Sequence, residues 1–171
     1  MLEKSSAMRR WFYLVVPVLV LFMVLWSCTK DDLCSGETPT TPLLTIEFLD
    51  YTDRITPKPT TDLAVRLRDT DSTVVFASVS EASISLPLDT EADQSLFYFI
   101  DQANSPEQLD VVEIDFFYQR QDQYVNRACA FKTIYTNMAF ESDQTPLSWI
   151  RDINLLTPTV EDASVHMFIY H

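Results

Sequence analysis

Glu113 and Asp115 stand two apart in an alternating stretch. On a strand they would share a face, with carboxyl groups about 7 Å apart. Glycoside hydrolysis uses two carboxyl groups about 5–10 Å apart across a cleft, so the spacing admits that chemistry. A solvent-facing strand gives the same spacing with no catalysis, and that reading is adopted. Asp69-Thr70-Asp71 and Asp89-Thr90-Glu91-Ala92-Asp93 resemble the opening of calcium loops. An EF-hand loop also needs Gly at its sixth position and Glu at its twelfth; counted from Asp89, these are Gln94 and Ile100. Both loops are read as solvated turns, and no metal is assigned. His166 and His171 are five apart, which on a regular strand puts them on opposite faces. His166 is read as a surface or satisfied histidine. No serine sits in a Gly-x-Ser-x-Gly elbow. A single glycine, Gly36, excludes a phosphate-cradling loop and a dinucleotide fingerprint. No catalytic residue and no cofactor is expected, and the chain reads as a non-enzyme.

The three cysteines, Cys28, Cys34 and Cys129, carry the remaining chemistry. A catalytic thiolate would need an imidazole base, and neither His166 nor His171 lies in a motif that supplies one. Cys28 instead ends an N-terminal pattern: Arg9-Arg10, an apolar run from Trp11 to Trp26, then Ser27. A basic start, an apolar middle and a small residue before cleavage make a secretory signal. The run is short for a membrane span, which needs about 20 residues; a retained anchor is the alternative. Met8 directly precedes Arg9 and is a second candidate start.

Leu25-Trp26-Ser27-Cys28 resembles the lipobox of bacterial lipoproteins, in which the cysteine thiol receives diacylglycerol and becomes the first residue after cleavage. Trp26 departs from the small residue usual at its place. Several acyl chains on one residue make a stable anchor. Lys30-Asp31-Asp32 follows and resembles the export signal of Bacteroidetes surface lipoproteins; a solvated charged tether is the alternative. Cleavage would remove 27 residues, three of them basic and one acidic, and leave 144 residues with formal charge −15. In the oxidising envelope, Cys34 and Cys129 are expected to form a disulfide. Two free buried thiols are the other reading.

Apolar residues make up 47% of the chain, enough for a packed core. The whole chain carries a formal charge of −13 with scattered acids, so no nucleic-acid partner is expected. Residues 28–42 hold Gly36, Pro39, Pro42 and four threonines and read as a tether. From Leu43 short apolar runs alternate with period two: Leu44-Ile46-Phe48, Leu63-Val65-Leu67, Thr73–Val79, Ile84-Leu86-Leu88, Leu96–Ile100 and Val112-Ile114-Phe116-Tyr118. Gln121-Asp122 is expected to turn into a strand over Tyr124–Tyr135, with Val125, Cys129, Phe131 and Thr133 on its core face. Residues 145–156 fit a helix or a strand, and a strand hairpinning into Val165–Tyr170 is preferred. Phe97, Phe99 and Phe117 fall on faces opposite Tyr98 and Phe116, so one aromatic set must be covered by loops or form a glycan or partner patch. Asp71-Ser72-Thr73 resembles an O-glycosylation acceptor of Bacteroidetes envelope proteins.

Eight or nine short strands predict an all-β fold. The expectation is an antiparallel β-sandwich, an immunoglobulin-like or transthyretin-like Greek key, over 43–171. A signal peptide (1–27) and a lipidated tether (28–42) precede it.

Several features are carried together: Cys28 with its Lys-Asp-Asp tail, Cys34, Thr40-Thr41-Pro42 before an apolar strand, Arg127-Ala128-Cys129, and a last strand at His166–Tyr170. On these the chain resembles a family of Bacteroidetes lipoproteins known only as a domain of unknown function. A small residue, often Gly, is expected after the cysteine of that strand; Ala130 stands there. The resemblance implies an address at the envelope and no activity. The functional expectation is a binding or accessory module at the outer membrane, on the cell surface or else facing the periplasm. Its partners would be the membrane, through the N-terminal lipid, and a glycan or envelope protein. A structural subunit of an outer-membrane assembly is the alternative.

Overall fold

The computed structural model describes residues 16, 34, 40–105, 110–145 and 148–171. Cys28, Lys30, Asp31 and Asp32 lie outside the described residues. The chain divides into two units: one takes in residues 1–38 and 125–130, the other 39–124 and 131–171.

The described residues hold nine strands: β1 Leu44–Leu49, β2 Leu63–Leu67, β3 Val74–Val79, β4 Ser83–Leu86, β5 Gln94–Asp101, β6 Asp110–Asn126, β7 Ala130–Ser142, β8 Asp152–Leu155 and β9 Val165–Tyr170. They form two sheets, ordered β4-β1-β9-β8 and β3-β2-β5-β6-β7. Leu44, Ile46, Phe48, Met167 and Ile169 of the first sheet share one core with Leu63, Phe97, Val112, Ile114 and Phe116 of the second. The β-sandwich expected from period-two alternation is thus the observed architecture. Within the segment left open between helix and strand, Asp152–Leu155 form a strand, β8, which pairs antiparallel with β9.

One pairing departs from the antiparallel pattern: β1 runs parallel to β9. Parallel partners need a long connection, and here the rest of the domain supplies it. The register shifts after Thr45, whose partner is Val165, whereas Ile46 pairs with Met167. His166 is the extra residue of this bulge. Its Nδ1 accepts the Thr45 N–H at 3.1 Å, which the shifted ladder leaves unpaired.

Three local expectations are corrected. First, Gln121-Asp122 does not turn; β6 continues to Asn126 and the reversal falls at Arg127–Cys129. The Asn126 side-chain oxygen accepts the N–H of Ala128 at 2.9 Å and of Cys129 at 2.8 Å. This is an asparagine-nucleated turn. Asp122 instead accepts the Thr133 hydroxyl at 2.9 Å, tying β6 to β7. Second, Cys129 lies in that turn and not on a core face, and Phe131 is exposed. The intervening turn resets the alternation, and inward residues resume at Thr133, Ile134 and Tyr135. Third, Phe97 and Phe99 are core residues. Register sets Phe97 opposite Ile114 and Phe99 opposite Val112, and the Phe97 and Phe116 rings meet edge to face at 6.0 Å. Tyr98 and Phe117 occupy the other face, half-buried.

With Gly36 the chain's one glycine, tight turns fall to other residues. Arg54, Asp62, Ser72, Gln102, Ala130 and Asn137 adopt positive φ. Asp and Asn tolerate this region; Ala130 bears the steric cost that Gly would avoid.

Candidate functional site

Of the residues expected in the anchor, export signal and disulfide, Cys34 and Cys129 are described, and they are joined by a disulfide with Cα atoms 5.0 Å apart. The turn geometry explains the reach: Asn126 folds the hairpin end so that Cys129 leaves the ladder and is free to cross-link. The bond closes a loop of 95 residues.

Glu113 and Asp115 do share an outward face, and Arg68 bridges them. Nη1 of Arg68 donates to Glu113 at 2.6 Å, and Nη2 donates to Asp115. Arg68 just follows β2, while both acids lie on β6; β5 lies between, and register aligns all three strands. A cavity of about 220 Å³ beside them is lined by Glu113, Asp115, Glu141, Ser142 and Asp143. Burial raises the Asp115 pKa against the pull of Arg68, and Glu141 and Asp143 push it the same way. Glu113 and Asp115 thus line this cavity while both are held by one guanidinium. Arg68→Met should lower stability at pH 7 by about 1–2 kcal/mol, because Glu113 and Asp115 then lack their cation. That loss should shrink as pH falls and Asp115, whose pKa burial raises, takes up its proton. Urea midpoints at pH 7 and below measure it, and a pH-independent loss would rule out charge as the cause.

The calcium-like loops turn their acids on their own backbone. Asp69 accepts from Thr73 N at 3.0 Å and from the Thr73 hydroxyl at 2.7 Å. These bonds hold its pKa below the usual carboxylate range. Asp89 accepts from Glu91 N at 2.7 Å and Ala92 N at 3.1 Å. Asp93 pairs with Arg120 at 2.7 Å. Among the described residues, no group of three His, Cys, Asp or Glu is placed to hold a metal ion.

His166 is 1% exposed, so of the two readings the satisfied one holds. The Thr45 N–H needs an unprotonated Nδ1, and burial lowers the His166 pKa against the nearby Asp162. His171 is lowered by burial as well; its ring lies edge-on to Phe48 and Trp149. Below pH 6.5 the unfolded histidines bind protons before the folded ones do, so stability drops as the pH is lowered through that range. His166→Asn keeps a side-chain acceptor and removes one titration. The fall in urea midpoint between pH 7 and 5 should become shallower, and an unchanged slope would remove His166 from the linkage.

Two further groups of contacts had no sequence signal. The Ser95 and Tyr118 hydroxyls lie 2.7 Å apart in the core, and Tyr118 donates to the Asp89 carbonyl at 3.0 Å. The Tyr118 ring meets Tyr135 edge to face at 4.9 Å. The Tyr135 hydroxyl donates to Leu88 O, and burial pushes its pKa up to about 12. At the hairpin end, Tyr124 and Phe131 form an exposed edge-to-face pair with centroids 5.5 Å apart.

No curated protein and no solved structure matches the chain. A family model does match, over residues 62–171. That range holds eight of the nine strands and omits only β1. The chain therefore belongs to this family, DUF6452, a family of unknown function.

Proposed function

We propose that the chain is an exported lipoprotein of the Bacteroidetes type, acylated on Cys28 and held at the outer membrane. Its β-sandwich then serves the envelope as a binding or accessory module. The observation that carries this reading is the Cys34–Cys129 disulfide. Such bonds persist in oxidising compartments, and this one lies six residues beyond the lipobox cysteine. The non-enzymatic part is supported by how the reactive side chains are used. Arg68 is ion-paired with Glu113 and Asp115, Asp69 and Asp89 cap turns, and His166 completes a sheet ladder.

Mass spectrometry of the N-terminal peptide from membranes of the source cells tests the anchor. The expected species begins at Cys28 and carries acyl chains, and Cys28→Ala should release the protein from the membrane fraction. An unacylated species beginning upstream of Cys28 would overturn the reading. Protease shaving of intact cells, with a periplasmic protein as control, tests Lys30-Asp31-Asp32. Cleavage of this chain alone favours the cell surface and glycan ligands. Protection until the outer membrane is opened assigns it to the periplasmic side and favours the assembly-subunit alternative.

A further inference from the structure

The end of the β6–β7 hairpin departs from the rest of the fold in exposure, apolarity and charge. On β6 the inward residues stop at Tyr118, and every residue from Gln119 to Tyr124 is exposed. A strand exposed on both faces has left the core. Two large aromatics stand there, Tyr124 at 60% and Phe131 at 63% exposure, stacked edge to face. Exposed aromatics paired with one another, and with no core beneath, indicate a contact surface. Charge changes over the same segment. From Gln123 to Lys132 there is no acidic residue, whereas Arg127 and Lys132 are basic, in a chain of net charge −13. Lys132 also lowers the pKa of Asp162, so it acts on its own domain as well as outward.

Covalent connectivity says what lies nearby. Cys129 is two residues from Phe131 and is bonded to Cys34. Cys34 is six residues from Cys28. Six residues span at most about 20–22 Å even when fully extended. Without the disulfide, the path from Cys28 to Phe131 would run through more than a hundred residues. The bond therefore confines the aromatic pair to the neighbourhood of the residue proposed to carry the lipid.

We infer that the β6–β7 hairpin end is a membrane contact: Tyr124 and Phe131 enter the headgroup region of the bilayer that holds the anchor, and Lys132 faces lipid phosphate. The inference rests on acylation of Cys28. Aromatic rings settle at the bilayer–water boundary because part of each ring prefers hydrocarbon and its edge tolerates water. Basic residues add attraction to anionic headgroups, which the acidic remainder of the chain would repel.

The test uses the full acylated chain in vesicles of phosphatidylethanolamine and phosphatidylglycerol. Downstream of Cys28 the chain has one tryptophan, Trp149, so F131W adds a single indole at the hairpin end. A lipid spin-labelled at headgroup depth should quench the new indole strongly and leave Trp149 emission nearly unchanged. Equal, weak quenching of both in a chain shown by mass to be acylated would overturn the inference and leave the anchor standing. A second arm removes the anchor: the chain beginning at residue 28 with Cys28→Ala is mixed with the same vesicles. Adding Tyr124→Ser and Phe131→Ser should weaken its vesicle binding about tenfold with an unchanged thermal midpoint. Binding that is equal with and without the aromatics would overturn the inference. So would sedimentation showing that the aromatics hold two copies together in the absence of lipid.

Discussion

Phe97→Ala should destabilise the domain by about 3–5 kcal/mol, the cost of emptying a large aromatic site in a packed core. Phe97 is fully buried, faces Ile114 across β5–β6, and packs edge to face with Phe99 and Phe116. These neighbours sit on strands held in register on both sides, so the cavity can collapse little. In a domain of this size the loss corresponds to a fall in thermal midpoint of about 10–15 °C. Phe117→Ala is the control: it removes the same ring from the half-buried opposite face of β6 and should cost about 1 kcal/mol. Chemical denaturation of both variants separates the two faces. Equal costs would mean that the outward face is packed as tightly as the core.

The contrast between these two phenylalanines shows where sequence patterning stops being informative. On β6, inward Val112, Ile114, Phe116 and Tyr118 alternate with Glu113 and Asp115, so polarity alone orients the strand. On β5, Leu96, Phe97, Tyr98, Phe99 and Ile100 are apolar on both sides, and only pairing with β6 selects the face. The same limit hid Arg68. It shows in the sequence as an outward residue after β2, but its partners lie two strands away, and register is a property of the assembled sheet. The reversal at Arg127–Cys129 was hidden for a different reason. A turn made without glycine has a weak signature, and Asn126 had to be recognised as the residue that folds back on Ala128 and Cys129. His166 was open in the sequence because a bulge breaks the parity by which strand faces are counted. The strand number and the disulfide pairing were legible because they follow from local alternation and from cysteine number.

Breaking the Cys34–Cys129 bond should have a comparably large effect. Cross-linking residues 95 apart removes conformational freedom mainly from the unfolded chain, and a loop of this length is worth up to about 4–5 kcal/mol on the chain-entropy account. Engineered cases often deliver less, so Cys34→Ala/Cys129→Ala is expected to lose about 2–4 kcal/mol. The origin of the effect predicts more than its size. Cys34→Ala, Cys129→Ala and the double variant should be equally destabilised, because each opens the same loop. Reductant should bring the unmodified protein to their level and leave the variants unchanged. The opened chain is less compact when unfolded and exposes more surface, so its urea m-value should rise as its midpoint falls. A lower midpoint with an unchanged m-value would place the stabilisation in native contacts of the cystine. A midpoint indifferent to reductant would show that the two cysteines are not cross-linked in the folded protein. The tether and the hairpin end would then be held together by nothing covalent, and Tyr124 and Phe131 would no longer be confined near Cys28.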